Sequence, residues 1–460
     1  MSAARQVHPD ELIVLGDLGS TFTKVACVTR QGLLLSRSVS KTMRQSLARG
    51  FTRAREQVLR NVLPPGLPAT EVTAIACSSA AGGLRLCVVG KEATLTVQAG
   101  RQAASTAGAR ITSCYATAEL LTETAAGFAA AAPDIVLLTG GANQGDKNSI
   151  IASAGAICRL APDLPIIVAG NEEAYPQLQR MLSGRGMVQF VPNVMPQVGT
   201  LDAGPAQEAI RSMFAEHVMG RGRYLSASVL SGVVRMPTPS AVLAGACALS
   251  DLGDRYPPLR NPVVVDVGGA TTDVHAVLDG AATRTVEGDL GLRENADALL
   301  GAGCGLGLVS AGDDSLDHAV AHRREHRDYI AGDSAETEID RRLAGLACTI
   351  ALERHAGRFR VLTEPDGGVV TKTGHDLRRA TSIIATGGIF QHAAHPERIV
   401  SAALQTARAR RALVSASLTV SADRNYVLWA VGLLASESPA AARRLAEREF
   451  TGMKPRCRRD

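Results

Sequence analysis

Aromatic residues are scarce, 3% of the 460 residues with a single tryptophan, and that scarcity removes one class of function. Proteins that hold single-stranded nucleic acid stack bases on aromatic platforms beside a concentrated basic face. Here the formal net charge of +5 comes from 49 basic and 44 acidic residues spread along the chain. The basic clusters Arg408-Ala409-Arg410-Arg411 and Lys454-Pro455-Arg456-Cys457-Arg458-Arg459 read as solvated faces, and no nucleic-acid partner is expected. The nine cysteines include no Cys-x-x-Cys pair, which indicates neither a zinc site nor a disulfide framework. No apolar run approaches membrane-spanning length, so no membrane partner is expected either. Met1 to Asp10 lacks the apolar core of a signal peptide, and the expectation is a cytoplasmic protein with free thiols.

What the chain does have is apolar content, 46%, over a length that suits two or three domains. Its most informative stretch is Val263-Val264-Val265-Asp266-Val267-Gly268-Gly269-Ala270-Thr271-Thr272-Asp273-Val274. A β-branched run, an aspartate, a glycine pair and two threonines before apolar residues resume predict a buried strand, a tight turn and a returning strand. Glycines let the turn backbone approach an anion, its amides become donors, and threonine hydroxyls add more. Asp266, at the strand end, would repel a phosphate directly, so its natural partner is a divalent cation or a metal-bound water.

The same design opens the chain. Leu12-Ile13-Val14-Leu15-Gly16-Asp17-Leu18-Gly19-Ser20-Thr21-Phe22-Thr23-Lys24-Val25 again runs strand, Asp, one residue, Gly, small hydroxylic residues, strand. Two copies about half the chain apart predict an internal duplication.

These paired Asp-x-Gly hairpins resemble the two phosphate loops of the actin, Hsp70 and sugar-kinase superfamily. Ile383-Ile384-Ala385-Thr386-Gly387-Gly388-Ile389-Phe390 is similar to that superfamily's adenosine loop. The resemblance implies an α/β protein with two duplicated ribonuclease-H-like domains, the actin-like ATPase fold, closing a nucleotide cleft over ATP and Mg²⁺. Within the superfamily, the chain most resembles the glutamate (methylaspartate) mutase accessory proteins, the MutL or GlmL family. Leu138-Thr139-Gly140-Gly141-Ala142-Asn143, Val168-Ala169-Gly170-Asn171, Pro192-Asn193-Val194, Arg284-Thr285-Val286-Glu287-Gly288-Asp289-Leu290-Gly291 and Arg354-His355-Ala356-Gly357 carry that likeness over nearly the whole chain.

The implied partners are subunits of an adenosylcobalamin-dependent mutase, with ATP and Mg²⁺ as cofactors and ATP hydrolysis as the possible activity. Gly19, Ser20, Thr21 and Lys24 are assigned to one phosphate grip and Gly268, Gly269, Thr271 and Thr272 to the other. Asp17 and Asp266 are placed near Mg²⁺, through water, as the catalytic carboxylates, and Gly387 and Gly388 against the nucleoside. Lys24, seven residues after Asp17, has a spacing that resembles the actin phosphate-loop lysine. A small-molecule kinase and an actin-like scaffold would use the same cleft, but no acceptor motif distinguishes the first and no filament contact the second.

The expected domains are 10–235, ribonuclease-H-like with an α/β insertion, and 236–450, ribonuclease-H-like, followed by a basic tail, 451–460. Thr73 to Ser78 and Leu84 to Gly90 read as a hairpin around a small-residue loop, Glu92 to Ala132 as one or two helices, and Asp134 to Asn171 as strand, helix, strand of a parallel layer. Gly140 and Gly141 echo Gly387 and Gly388 as a duplicated counterpart, and Pro239 to Leu249 reads as a proline-started helix of small residues. Gly301-Ala302-Gly303-Cys304-Gly305-Leu306-Gly307 reads as a flexible loop, lacking the strand that a dinucleotide turn needs. His322 and His326 are assigned to a solvated helix and His355 to a structural role at a helix end.

Overall fold

Alternating and fully apolar β-branched runs become the strands of three five-stranded sheets. The computed structural model describes residues 8–42, 47–64, 72–79, 84–107, 109–213, 230, 232–310, 312–364 and 367–452. The loop 80–83 and the basic tail from residue 453 lie outside the described residues. In chain order the strands are β1 (Leu12–Leu18), β2 (Phe22–Thr29), β3 (Leu34–Lys41), β4 (Thr73–Ser78), β5 (Leu84–Gly90), β6 (Ala109–Ala116), β7 (Ile135–Leu138), β8 (Ile166–Val168) and β9 (Val188–Phe190). They continue as β10 (Val234–Pro237), β11 (Pro262–Val267), β12 (Thr272–Leu278), β13 (Ala281–Glu287), β14 (Arg358–Glu364), β15 (Gly367–Thr373), β16 (Ser382–Thr386) and β17 (Thr419–Ala422).

The chain forms two compact units, residues 1–80 with 233–460 and residues 81–232. The first holds two sheets of one design, β3-β2-β1-β4-β10 and β13-β12-β11-β16-β17. In each, three consecutive strands form an antiparallel meander, a later strand adds in parallel to its first strand, and a fifth adds in parallel to that one. This is a duplicated ribonuclease-H-like α/β fold, and the duplication seen in the two hairpins extends to whole sheets.

A shared core joins the two sheets of this unit. Ile13 and Leu15 of the first sheet and Val264 and Ile384 of the second pack with the helices Thr238–Ser250 and Leu428–Glu437. Those helices cross at glycines: a Cβ on Gly432 would overlap the Ala241 carbonyl oxygen and stand 2.7 Å from the Gly245 amide. Pro239 starts the first of them as expected from proline at the first turn.

The second unit is a parallel sheet, β6-β5-β7-β8-β9, flanked by helices that include Thr96–Ala107 and Asn148–Leu160. In sequence it separates β4 from β10. Several local expectations are corrected here. Thr73–Ser78 and Leu84–Gly90 are not a hairpin: β4 pairs with β1 and β10, whereas β5 pairs with β6 and β7 in another sheet. Within Glu92 to Ala132 a strand, β6, interrupts the helices, because Arg110-Ile111-Thr112-Ser113-Cys114-Tyr115 favours an extended chain despite alanine-rich flanks.

Gly140 and Gly141 end a strand of the parallel sheet, so they are not the counterpart of Gly387 and Gly388. The strand that matches β16 in the first duplicated sheet is β4, ending at Ser78. Gly301, Gly303 and Gly305 lie in the helix Ala296–Gly305 rather than in a loop. Gly303 permits close helix packing, since a Cβ there would come 2.7 Å from Leu346 Cδ2. His322 sits in the helix Asp314–Glu325 and His326 just after it, while His355 is buried at the end of the helix Ser334–His355, its Nδ1 3.2 Å from Thr285 Oγ1.

Candidate functional site

Both hairpin turns of the duplicated unit are closed by the same hydrogen bond. The Gly19 amide donates to Phe22 O (3.1 Å) and the Gly268 amide to Thr271 O (2.9 Å), at the same offset from Asp17 and Asp266. These two amides are therefore consumed by the turns. The amides of Ser20, Thr21, Gly269 and Ala270 have no acceptor among the described residues.

The turns also meet. A Cβ on Gly269 would stand 2.5 Å from Thr21 Oγ1, so any side chain there would have to displace that hydroxyl. From below, Thr42 holds the first turn, its amide donating to Thr21 O (2.8 Å) and its hydroxyl to Gly19 O (2.9 Å). Arg293 and Glu294 hold the second, both amides donating to Gly269 O at 2.9 Å. Thr272 is fully buried and its hydroxyl donates to Leu290 O (2.7 Å), while Thr271 is only partly buried.

The strand ends behind the turns carry the charge. Asp17 and Lys24 face one another across β1 and β2, and Asp266 and Asp273 face one another in the same way across β11 and β12. Both oxygens of Asp17 are engaged: its Oδ2 accepts from Lys24 Nζ (2.7 Å) and its Oδ1 from Thr238 Oγ1 (2.6 Å). By contrast, Asp266 Oδ1 and Asp273 Oδ1 are buried with no hydrogen-bond partner among the described residues. The two aspartates that the sequence treats alike are thus not equivalent.

Electrostatics sharpen the difference. Burial pushes the Asp266 carboxyl up to about 7, with Asp17 and Asp423 adding to the rise and Lys24 opposing it. Burial and the neighbouring Asp266 push Asp273 up to about 8, against the pull of Arg284 and the Thr271 hydroxyl. Burial alone would lower the Lys24 pKa, but Asp17 and Tyr426 outweigh it and keep the ammonium charged. Two adjacent carboxyls with orphaned oxygens fit a divalent cation, whose charge would reverse their upward shift.

A pH dependence follows. In the folded state both carboxyls stay protonated well above the usual 3.8, so the folded protein binds more protons than the unfolded chain between about pH 4 and about pH 8. Stability in chelator is expected to be greatest below that window and to fall as pH rises through it, by up to a few kcal/mol. Thermal melts of wild type and Asp273→Asn should show a shallower decline in the variant. Parallel curves would show that these carboxyls do not titrate as described.

Gly387 completes the constellation from β16. Its φ of +120° suits only glycine, and a Cβ there would overlap the Val267 carbonyl at the end of β11. The neighbouring Gly388 opens the helix Gly388–His392 and faces open space, since a Cβ on it would meet nothing within 4 Å. Thr386 ties this loop to Asp423, donating to its Oδ2 at 3.0 Å. Asp423 also caps the helix Leu428–Glu437, accepting from the amides of Val427 (3.0 Å) and Leu428 (2.8 Å).

All twelve residues singled out in the sequence therefore fall in one unit, on the two hairpins and the β16 loop. Three participants were missed: Asp273, Thr238 and Tyr426. Asp273 had a readable signal, because it follows Asp266 by the same seven residues that separate Lys24 from Asp17. Among the described residues no group of three or more His, Cys, Asp and Glu forms a metal cluster, and no helix is long and apolar enough to cross a membrane.

A family model described as MutL protein matches residues 13–450. The chain is 32% identical over 457 residues to Protein MutL of Clostridium tetanomorphum, covering 95% of this chain and 98% of that one. Among solved structures, component A of the (R)-2-hydroxyglutaryl-CoA dehydratase of Acidaminococcus fermentans is 11% identical, with 95% of this chain and 98% of that one covered at a TM-score of 0.31. A ROK family glucokinase from Streptomyces griseus, in complex with glucose and AMPPNP, is also 11% identical, with 95% and 99% covered at a TM-score of 0.32. Likenesses this distant add nothing to what the strand order establishes.

Proposed function

Because the chain belongs to the MutL protein family, we propose that it is an ATP-binding, ATP-hydrolysing accessory protein for an adenosylcobalamin-dependent mutase such as glutamate mutase. The nucleotide site is supported chiefly by the two identically closed turns meeting at Gly269 and Thr21, with the orphaned oxygens of Asp266 and Asp273 behind them. The mutase partner rests on the family resemblance alone.

In this reading the free amides of Ser20, Thr21, Gly269 and Ala270, with the hydroxyls of Ser20, Thr21 and Thr271, grip the phosphates. Thr272 supports the grip by holding the turn to Leu290. Asp266 and Asp273 hold Mg²⁺ directly or through its waters, and Asp17 acts through Lys24, because both its oxygens are already engaged. Gly387 and Gly388 leave room for the nucleoside. Bound Mg-ATP would supply a terminal phosphoryl group for transfer to water. We also take residues 10–235 and 236–450 as the two halves of the ATPase, with β10 carrying the first half to Pro237 and residues 81–232 inserted into it.

An accessory ATPase should act on its partner through the cleft. Co-elution with purified mutase subunits, and the lifetime of mutase activity during turnover, are expected to change when Mg-ATP is added. A protein that binds Mg-ATP yet neither associates with such subunits nor alters their activity would end the accessory reading while leaving the nucleotide site standing.

A further inference from the structure

The ammonium of Lys24 is held by more than its aspartate. Its Nζ donates to Tyr426 Oη at 3.0 Å and lies 4.6 Å from the centre of the Tyr426 ring, although the two residues are 402 positions apart. A Cβ on Gly19 would stand 3.0 Å from the same nitrogen, which puts the charge directly beneath the first turn. Of the three ammonium donors, Asp17 and Tyr426 take two, and the third has no acceptor among the described residues.

Tyr426 is itself held in an unusual backbone conformation. Its φ is +51°, a left-handed setting that costs energy for an aromatic residue and persists only where its surroundings enforce it. The Tyr426 amide donates to Asp423 O (3.0 Å), and its carbonyl accepts from the Trp429 indole (2.8 Å). Asp423 accepts in turn from Thr386, the residue before Gly387. A hydrogen-bonded path therefore runs from the β16 loop through Asp423 and Tyr426 to Lys24 and Asp17.

We propose that Tyr426 is a positioning residue, which fixes the Lys24 ammonium beneath Gly19 so that its free donor meets the terminal phosphate of ATP. This rests on the ATP reading of the cleft. The hydroxyl acts as acceptor and the ring face as a second, cation–π contact that stops the side chain from swinging away. A tyrosine that merely packed the core would not discriminate between nucleotides differing by one phosphate.

The test compares Mg-ATP and Mg-ADP binding by calorimetry in wild type, Tyr426→Phe, Lys24→Met and the double variant. Losing a hydrogen bond to a charged group is expected to weaken Mg-ATP about 10-fold in Tyr426→Phe, with Mg-ADP within about twofold of wild type. On the Lys24→Met background the tyrosine substitution should add no further loss. Equal losses for both nucleotides, or additive losses in the double variant, would overturn the positioning role while sparing the ATP cleft. If Lys24→Met does not fold, the split between ATP and ADP in Tyr426→Phe decides alone. Wild type that binds neither nucleotide would overturn the ATP reading and this inference together.

Discussion

Asp266→Asn is expected to weaken Mg-ATP binding by about 100-fold or more, the loss of roughly 3 kcal/mol of charge-assisted contact, while leaving the protein better folded. The stability gain follows from the orphaned, buried Oδ1 and a carboxyl pushed up to about 7: above that pH the folded state must carry an ionised group that its surroundings disfavour. Asparagine removes that cost near pH 8. Asp17→Asn should behave in the opposite way, because it leaves the Lys24 charge without its counter-ion in a site where only 14% of that side chain is exposed. Breaking such a pair by removing one partner typically costs about 3–5 kcal/mol. Calorimetric titration with Mg-ATP and thermal melts of the two variants separate the roles. If Asp266→Asn binds Mg-ATP like wild type, the cation does not depend on this carboxylate.

Gly432→Ala is expected to destabilise the duplicated unit by about 4 kcal/mol or more, the severe end of single substitutions. The added methyl would overlap the Ala241 carbonyl and press on the Gly245 amide, and the reciprocal Cβ on Gly245 would overlap the Leu428 carbonyl. These are backbone atoms of the helices Thr238–Ser250 and Leu428–Glu437, so no rotamer change relieves the clash. Alanine's better helix propensity returns only about 1 kcal/mol. The same helices carry Thr238, which holds Asp17, and follow directly from Tyr426, which holds Lys24. Separating them should therefore weaken nucleotide binding as well as stability. Urea denaturation that gives Gly432→Ala the midpoint of wild type would show that the crossing can relax.

Much of the site was legible because its chemistry is local. A strand followed by Asp-x-Gly and hydroxylic residues encodes its own turn, and two such segments in one chain identified the residues that the fold brings together. What failed was also local in cause. The runs Thr73–Ser78 and Leu84–Gly90 have the spacing of a hairpin, but strand partners are chosen by whole-sheet burial, and each strand found a parallel neighbour elsewhere. Gly-x-Gly-x-Gly from Gly301 read as a loop because glycine lowers helix propensity, yet at Gly303 the close approach of Leu346 outweighs that cost.

The sequence by itself determined the duplication, the two Asp-x-Gly turns, the α/β class and the family, since each is carried by residues adjacent in the chain. Tertiary structure alone decided which aspartate is free. Asp17 and Asp266 share the same strand-Asp-x-Gly pattern, but a lysine faces the first and a second aspartate the second, and Thr238 and Tyr426 arrive from distant helix starts to engage one pair only. The physical reason is that a buried carboxylate's charge is set by whatever surrounds it in space, and the hydroxyl that reaches Asp17 lies 221 residues away in the chain, the one that reaches its partner Lys24 402.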